Sequence, residues 1–373
     1  MDMAKRIGLI TIHHSYNFGA MLQCYATIYK LRKADYDVEV INYDSKTFKE
    51  SRRLFTPIKS AKDILRNLRN LSVARKIKRR NKRFEVFYSK FPLSAEYYYE
   101  SIKSANGKYD AVLTGSDQTF CLRLTRTAEE MKPFFQYEID NTQLKISYAS
   151  SMGEKGFNLN DYEIEWIKDS LSDFDSLLVR EDKTAQFIGE LVGKDINVVV
   201  DPTLLLDEKE WNEAAGDIST SGNYILFYTV LSDKWVVDYA KQLSKAMKLP
   251  VIALHNKTRY DLFSGFKYIY DCGPAEFLSY VKNASYVVTT SFHGTAFSLI
   301  YKKQFKSLIV GNGNRIKSLL ESLGLSSCCC NSDNLANVGK FDNQIDYKMV
   351  NIKLESLKKK SLNCLLKSLK NEQ

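Results

Sequence analysis

Long apolar runs are missing from this sequence of 373 residues. No stretch approaches the roughly 20 apolar residues that a membrane-spanning helix needs, and the apolar part of the N-terminal segment MDMAKRIGLITIHH is too short for a signal peptide. We therefore expect a cytoplasmic protein. Hydrophobic residues make up 44% of the chain and charged residues 26%, which is typical of a folded protein and not of a disordered one.

Sequence signatures of metal and nucleotide sites are missing too. The seven cysteines include the run from Cys328 to Cys330 but no C-x-x-C pair, the spacing that lets two thiolates reach one tetrahedral metal ion. An odd number of cysteines without an export signal is typical of reduced thiols. The sequence has no P-loop, no G-x-G-x-x-G fingerprint and no nucleophile elbow. We therefore expect neither a metal nor a cofactor.

Negative charge is scarce in one segment. Residues 52–90 hold fourteen Lys and Arg against Asp63 and Glu85, a net charge of +12, whereas the whole chain carries +10. The apolar residues of the segment recur at helical spacing, which indicates an amphipathic element and not a flexible tail; they are Ile64, Leu68, Leu71, Phe84, Phe87 and Phe91. This pattern favours peripheral contact with an anionic membrane over binding to a nucleic acid, and a merely solvated helix is the third interpretation.

Strand-length apolar runs alternate with helical patterns along the chain, which predicts βαβ units and parallel sheets. The first unit reads as strand RIGLITI, loop HHSYNFGA, helix MLQCYATIYKLRKA and strand DVEVINY, and a second series begins at NYILFYTV. We therefore expect an α/β protein with two Rossmann-like domains that face a cleft. The expected parts are residues 1–205 with a basic helical insertion at about 52–90, residues 220–350, and a terminal helix at 351–373 that docks on the body.

Two loops of the first domain follow strands, and ligands of such sheets bind at the carboxyl ends of strands. One loop contains Asn17, Phe18 and Gly19 before a helix N-terminus, which favours anions; the alternative is an ordinary βα turn. The other loop contains Asp117 and Gln118. The carboxylate of Asp117 can accept hydrogen bonds from sugar hydroxyls, or it can cap the next element instead.

Arg180 ends the apolar strand SLLV, where a guanidinium offers a planar fork to a carboxylate or a phosphate. The alternative is a salt bridge with Glu181 or Asp182. Because adjacent residues of a strand point to opposite faces, we expect a pair with Glu181 to be disfavoured.

His293 lies between strand SYVVTTS and helix TAFSLIYKK, beside Gly294. At this position a histidine can act as an acid, as a base or as a hydrogen-bond donor to an anion. Arg315 precedes the helix IKSLLESL and can supply a second positive charge to the same anion. The alternatives are a structural histidine and a solvated arginine.

Six blocks of the sequence, in order between about residue 7 and residue 325, resemble the polysaccharide pyruvyl transferase family. The blocks are NFGAMLQCYAT, TGSDQTF, SYASSMG, LLVREDKTAQFIGELVG, VVVDPTLLL and TTSFHGTAFSLIYKK. The resemblance implies a GT-B-like fold and phosphoenolpyruvate as donor without a metal. It also implies that Arg180 and His293 serve donor binding and catalysis. Several relatives have a basic residue where this chain has Ser291, and a lysine near the place of Arg315.

The resemblance predicts a transferase that moves the pyruvyl group of phosphoenolpyruvate onto a sugar as a cyclic ketal and releases phosphate. The sugar belongs to a surface polysaccharide or to a lipid-linked precursor. The residues expected at the donor are Arg180, Arg315, Ser291 and Gly294, with His293 as the catalytic residue. Those expected at the acceptor are Asn17, Phe18, Gly19, Asp117 and Gln118.

Two other functions compete with this one. A glycosyltransferase that uses a nucleotide sugar has the same architecture, but it needs a carboxylate for the ribose late in the second domain, and KKQFKSLIVGNGNRIKS has none. A non-enzymatic polyanion binder would act through residues 52–90, and its binding would fall steeply with salt.

Overall fold

The computed structural model describes residues 5–371 apart from 56, 59, 140–142, 219, 221, 232, 255–263 and 334–343. Within these residues the strands form two sheets, and every strand pair is parallel. Helices connect the strands in both sheets. The expected α/β fold with two Rossmann-like units is confirmed.

The first sheet has the strand order β3-β2-β1-β4-β5-β6-β7. Its strands are β1 Arg6–Ile10, β2 Asp37–Tyr43, β3 Leu93–Tyr97, β4 Ala111–Thr114, β5 Leu144–Ser150, β6 Ser176–Val179 and β7 Asn197–Val198. The helices that follow these strands are α1 Phe18–Lys33, α2 Lys46–Ser51, α3 Ala61–Ser72, α4 Ala74–Tyr88, α5 Asp161–Ser172, α6 Asp182–Val192, α7 Pro202–Leu205 and α8 Glu208–Asn212. We call this part the first unit.

The second sheet has the strand order β10-β9-β8-β11-β12-β13. Its strands are β8 Ile225–Tyr228, β9 Val251–Leu254, β10 Lys267–Ile269, β11 Tyr286–Thr289, β12 Gln304–Leu308 and β13 Cys329–Cys330. Its helices are α9 Lys234–Met247, α10 Pro274–Asn283, α11 Phe292–Ile300 and α12 Asn314–Ser322. In this second unit, as in the first, the strand order reverses once, and ligands bind at such a switch point.

The start of α1 differs from the expectation. The sequence pattern suggested that the helix begins at Met21, but it begins at Phe18. The cause is Asn17, whose side-chain oxygen caps the helix by accepting a hydrogen bond from the backbone N–H of Gly19 at 3.0 Å.

Aromatic side chains join the two units beneath the cleft. Phe18 of the first unit stacks on Phe277 of the second with ring centroids 4.7 Å apart. Phe84 of α4 also stacks on Phe18, with ring centroids 5.4 Å apart. All three rings are at most 1% exposed. The buried aromatic contact packs α1 and α4 of the first unit against α10 of the second.

The basic segment contributes to the same junction. On α4, Arg83 donates a hydrogen bond to the carbonyl of Asp271 at 2.6 Å and pairs with Glu276 at 3.1 Å, while Arg79 pairs with Asp271 at 3.0 Å. Part of the positive charge of residues 52–90 is therefore used within the protein, to attach α4 to the second unit.

The last helix, α13 Tyr347–Lys370, follows the second unit but packs on the first. The hydroxyl of Ser361 accepts a hydrogen bond from the backbone N–H of Val200 at 3.0 Å, and the hydroxyls of Ser368 and Ser176 are 2.7 Å apart. Its leucines lie toward the core: Leu354, Leu365 and Leu369 are buried and Leu357 is half-buried. Among the described helices, none combines the length and the apolar character that crossing a membrane requires.

Candidate active site

A cavity of about 470 Å³ lies in the cleft, where the carboxyl ends of both sheets meet. Both units supply its walls. The polar residues of the first unit at the wall include Asn17, Asp117, Gln118, Glu154 and Glu181, and those of the second include Thr290, Ser291, His293, Asn314 and Arg315. Volume and mixed lining are those of a small-molecule site.

Arg180, directly after β6, is buried behind this wall with 2% of its side chain exposed. Its Nη1 donates to Oδ2 of Asp201 at 2.7 Å, and its Nε donates to Oε1 of Glu181 at 3.0 Å. The expectation against a pair with Glu181 is wrong, because β6 ends at Val179 and the alternation of strand side chains no longer applies. The ring of Phe292 covers the guanidinium at 4.8 Å.

Asp201 lies between Arg180 of the first unit and His293 of the second, although the sequence did not single it out. The residue is fully buried, and its Oδ1 accepts two hydrogen bonds from Thr203 at the start of α7. Its Oδ2 accepts from Ser116 at 2.9 Å and from Arg180, and lies 3.7 Å from Nε2 of His293. Burial alone would raise the pKa of Asp201, but His293 and Arg180 outweigh it and hold this pKa well below the usual range.

His293 lies in the first turn of α11 and is 7% exposed. Its ring packs against Gly19 of the first unit so closely that a Cβ at residue 19 would overlap the imidazole. Gly19 is thus required for the close approach of His293 to α1.

Two buried side-chain nitrogen atoms at the site have no hydrogen-bond partner among the described residues. They are Nη2 of Arg180 and Nε2 of His293. Leaving a buried donor unsatisfied costs about 1–3 kcal/mol, and more when the group is charged. An anionic ligand in the cavity can accept a hydrogen bond from Nη2 of Arg180, and from Nε2 of His293 in the tautomer that carries a proton on that atom.

Asp117 lies between the two arginines that the sequence predicted. Its Oδ1 is 3.8 Å from Nη2 of Arg180 and 3.9 Å from Nη1 of Arg315. Its backbone has a φ of +75°, which is unfavourable for a residue with a side chain. Burial, and then the nearby Arg180, lower the pKa of Arg315. The carboxylate therefore occupies the position where an anion would meet both cations.

The remaining predicted residues divide into two groups. Asn17, Gln118 and Ser291 line the cavity, Asn17 while capping α1. Phe18 and Gly294 do not line it: Phe18 belongs to the aromatic stack beneath the cleft, and a Cβ at Gly294 would overlap Oγ1 of Thr289. Their contribution is to packing between the elements that hold the site.

The described residues contain no group of three or more His, Cys, Asp or Glu side chains arranged to hold a metal ion. Cys328 to Cys330 lie at the edge strand of the second sheet, and burial raises the pKa of Cys328 and of Cys329 to about 11. Thiols with such pKa values are poor nucleophiles at neutral pH.

Solved structures of sugar enzymes share this fold. UDP-N-acetylglucosamine 2-epimerase from Rickettsia bellii aligns with a TM-score of 0.53 at 11% identity, over 99% of this chain and 97% of its own. The Arabidopsis thaliana protein UGT89C1 complexed with quercetin gives 0.51 at 9% identity, over 98% and 99%. The Methanocaldococcus jannaschii UDP-GlcNAc 2-epimerase in complex with UDP-GlcNAc and UDP gives 0.51 at 13% identity, over 94% and 98%. The protein has the GT-B-like fold of these enzymes.

Sequence comparison identifies the family more narrowly than the fold does. No curated protein matches the sequence. The family model described as polysaccharide pyruvyl transferase matches residues 17–308, a region that begins at the cap of α1 and contains Arg180, Asp201 and His293. The match covers most of the chain, so the protein belongs to the polysaccharide pyruvyl transferase family.

Proposed function

We propose that the protein transfers the pyruvyl group of phosphoenolpyruvate to a saccharide, forming a cyclic ketal and releasing phosphate. The observation that carries the proposal is the pair of buried nitrogen atoms without hydrogen-bond partners, Nη2 of Arg180 and Nε2 of His293, beside the cavity between the units. Membership of the pyruvyl transferase family supports the choice of donor.

Phosphoenolpyruvate carries a carboxylate and a phosphate, and the site offers cations for both. Arg315 lines the cavity with 31% of its side chain exposed, and Arg180 lies behind Asp117. The donor carboxylate takes the place between these arginines that Asp117 occupies here. The phosphate meets Ser291 and the N-terminus of α11, where unpaired backbone N–H groups favour an anion.

The reaction needs one proton at carbon and one at phosphate. Protonation of the methylene carbon makes the central carbon electrophilic, and one sugar hydroxyl adds to it. The second hydroxyl then displaces phosphate, which closes the ketal ring. One hydroxyl proton balances the new C–H bond and the other leaves with the phosphate. His293 delivers the proton to carbon, and the arginines stabilise the negative charge of the leaving group.

The acceptor approaches from the side of the cavity lined by Asn17, Asp117 and Gln118. The side-chain oxygens and amide groups of these residues suit sugar hydroxyls. The carboxylate of Asp117 accepts a hydrogen bond from an attacking hydroxyl once the donor has taken its place between the arginines. The acceptor is a saccharide carried on a lipid, so the enzyme works at the inner membrane surface.

The nucleotide-sugar alternative has one observation in its favour, the fold shared with the epimerase that binds UDP-GlcNAc. Glu154 of the first unit places a carboxylate at the start of α12, but its Oε1 accepts a hydrogen bond from the N–H of Gly313 at 3.1 Å. Glu154 therefore serves the contact between the units. The polyanion-binder alternative loses support because Arg79 and Arg83 are paired within the protein.

Titration calorimetry tests the proposal. The protein should bind phosphoenolpyruvate and bind UDP-GlcNAc much more weakly, and Arg315→Ala should reduce only the former. Tight binding of UDP-GlcNAc without binding of phosphoenolpyruvate would replace this function by the nucleotide-sugar one.

A further inference from the structure

On helix α3 the apolar residues are exposed and polar residues are half-buried. The half-buried residues of α3 are polar, Asp63, Asn67 and Asn70, at helical spacing. The exposed residues are apolar: Ile64 is 47% exposed, Leu65 51%, Leu68 59% and Leu71 62%. A surface helix of a soluble protein ordinarily has the reverse arrangement, with its apolar face toward the core.

The preceding loop extends this apolar surface. Phe55 is 44% exposed and Ile58 is 66% exposed. The side-chain amide of Asn70 donates a hydrogen bond to the carbonyl of Leu54 at 2.7 Å, which attaches the loop to the polar side of α3. Exposed cations stand nearby in the sequence, among them Arg53, Arg75, Lys78 and Lys82. An apolar face beside positive charges is the arrangement of a helix that lies in a membrane interface.

We propose that α3 and its preceding loop insert their apolar face into the interface of an anionic lipid bilayer and so hold the active-site cleft at the membrane. The choice of a lipid surface over another apolar partner is consistent with the proposed lipid-linked acceptor and rests on it in part. The face is one convex helix with two loop residues, whereas a stable protein interface takes roughly 20–30 residues a side. A nucleic acid gains nothing from exposed leucines.

The positive charge of residues 52–90 has two separate roles in this proposal, attachment of α4 to the second unit and attraction to lipid headgroups. The arginines of α4 that pair with Asp271 and Glu276 attach the helix to the second unit. Binding to lipid depends instead on leucines of α3, with the exposed cations adding attraction to anionic headgroups. Salt therefore weakens binding without abolishing it, because only the electrostatic part is screened.

The test is sedimentation of the full-length protein with vesicles of equimolar phosphatidylglycerol and phosphatidylcholine. The variant Leu68→Gln/Leu71→Gln should lose on the order of tenfold or more in vesicle affinity, since burying a leucine contributes roughly one power of ten. The matched control is Met349→Gln/Ile352→Gln on α13, whose side chains are 54% and 60% exposed. The control should bind as the wild type does.

A second variant reports insertion directly. In Leu68→Trp the added indole should be quenched by brominated lipid beyond the level of the wild-type tryptophans. Equal vesicle binding by wild type and by Leu68→Gln/Leu71→Gln would overturn the inference, as would a wild type that does not sediment. A wild-type dimer that the double variant dissociates would assign the face to a second copy, and tighter binding to duplex DNA would assign it to a nucleic acid; either result overturns the proposal.

Binding of phosphoenolpyruvate in the same preparations separates this inference from the proposed function. Vesicle binding without phosphoenolpyruvate binding would contradict the function and leave the membrane surface standing. Phosphoenolpyruvate binding without vesicle binding would support the proposed function and contradict the membrane surface.

Discussion

Gly19 of the first unit packs directly against the imidazole of His293 from the second unit, and no other residue type leaves room for that ring. The contact places the start of α1 and the start of α11 against each other across the cleft. It fixes His293 from the side opposite to Asp201, whose Oδ2 is 3.7 Å from Nε2.

Gly19→Ala should leave the protein folded but displace His293. Alanine favours a helix over glycine by up to about 1 kcal/mol, so the change does not harm α1 itself. A displaced catalytic group can lower turnover by on the order of a hundredfold. Steady-state kinetics and the thermal midpoint measure the two effects separately.

A double-mutant cycle is the control for Gly19. If the alanine acts by moving the imidazole, Gly19→Ala/His293→Gln should be no slower than His293→Gln alone. Additive losses would show that Gly19 acts through something other than His293.

Arg180→Ala should weaken donor binding more than acceptor binding. The substitution removes a charge-assisted contact worth about 1.5–3 kcal/mol, which is a loss on the order of tenfold to a hundredfold in donor affinity. Titration calorimetry with phosphoenolpyruvate measures it. Unchanged donor affinity in a folded variant would remove Arg180 from the site.

Arg180→Ala should also lower the stability of the protein, because it leaves the buried carboxylates of Asp201 and Glu181 without their cation. Breaking a buried ion pair costs about 3–5 kcal/mol. Arg315→Ala is the matched variant, since that side chain is 31% exposed and its nearest carboxylate is 3.9 Å away. It should lose donor affinity with little change in the thermal midpoint.

His293→Gln distinguishes proton transfer from anion binding. If His293 delivers the proton, the variant should keep much of its donor affinity and lose roughly a hundredfold or more in turnover. A loss confined to the Michaelis constant would make His293 a contact to phosphate or carboxylate. Wild-type kinetics would make the residue structural.

Asp201→Asn should alter the dependence of stability on pH. A carboxyl whose pKa is lowered in the folded state stabilises the protein above its unfolded pKa, near 4, and that contribution is lost as the pH falls toward the lower folded pKa. The thermal midpoint of the wild type should therefore exceed that of the variant by most at neutral pH, and the difference should shrink below about pH 4. Exposed Asp195→Asn is the control. A difference that stays constant with pH would contradict the lowered pKa of Asp201.

The sequence predicted the central strands well but missed three of the four edge strands, β3, β10 and β13. Buried apolar runs such as those of β1, β8 and β11 have a strong signal. The strands β3, β10 and β13 are edge strands, half-exposed or only two or three residues long, so no apolar run marks them. These segments form strands because each pairs with a neighbouring strand of its sheet.

The sequence predicted the positions of residues that directly follow a strand, although their functional roles stay predictions. Arg180 and His293 both stand at carboxyl ends of strands, and parallel sheets bring such positions to one edge. Asp201 was missed because an aspartate before Pro202 has the pattern of a helix cap, and it does cap α7. Its contact with Arg180 depends on the tertiary packing of the first unit, and its approach to His293 depends on how the two units pack; no local pattern records either.

Transfer of the pyruvyl group to a saccharide is the most direct test of the proposed function. Incubation with isotopically labelled phosphoenolpyruvate and the lipid-linked saccharides of the producing cell should release phosphate and attach the label to the sugar as a ketal, detected by mass spectrometry. The same incubation with His293→Gln should yield little product. Phosphate release without label on any saccharide, or glycosyl transfer from a nucleotide sugar in its place, would contradict the account.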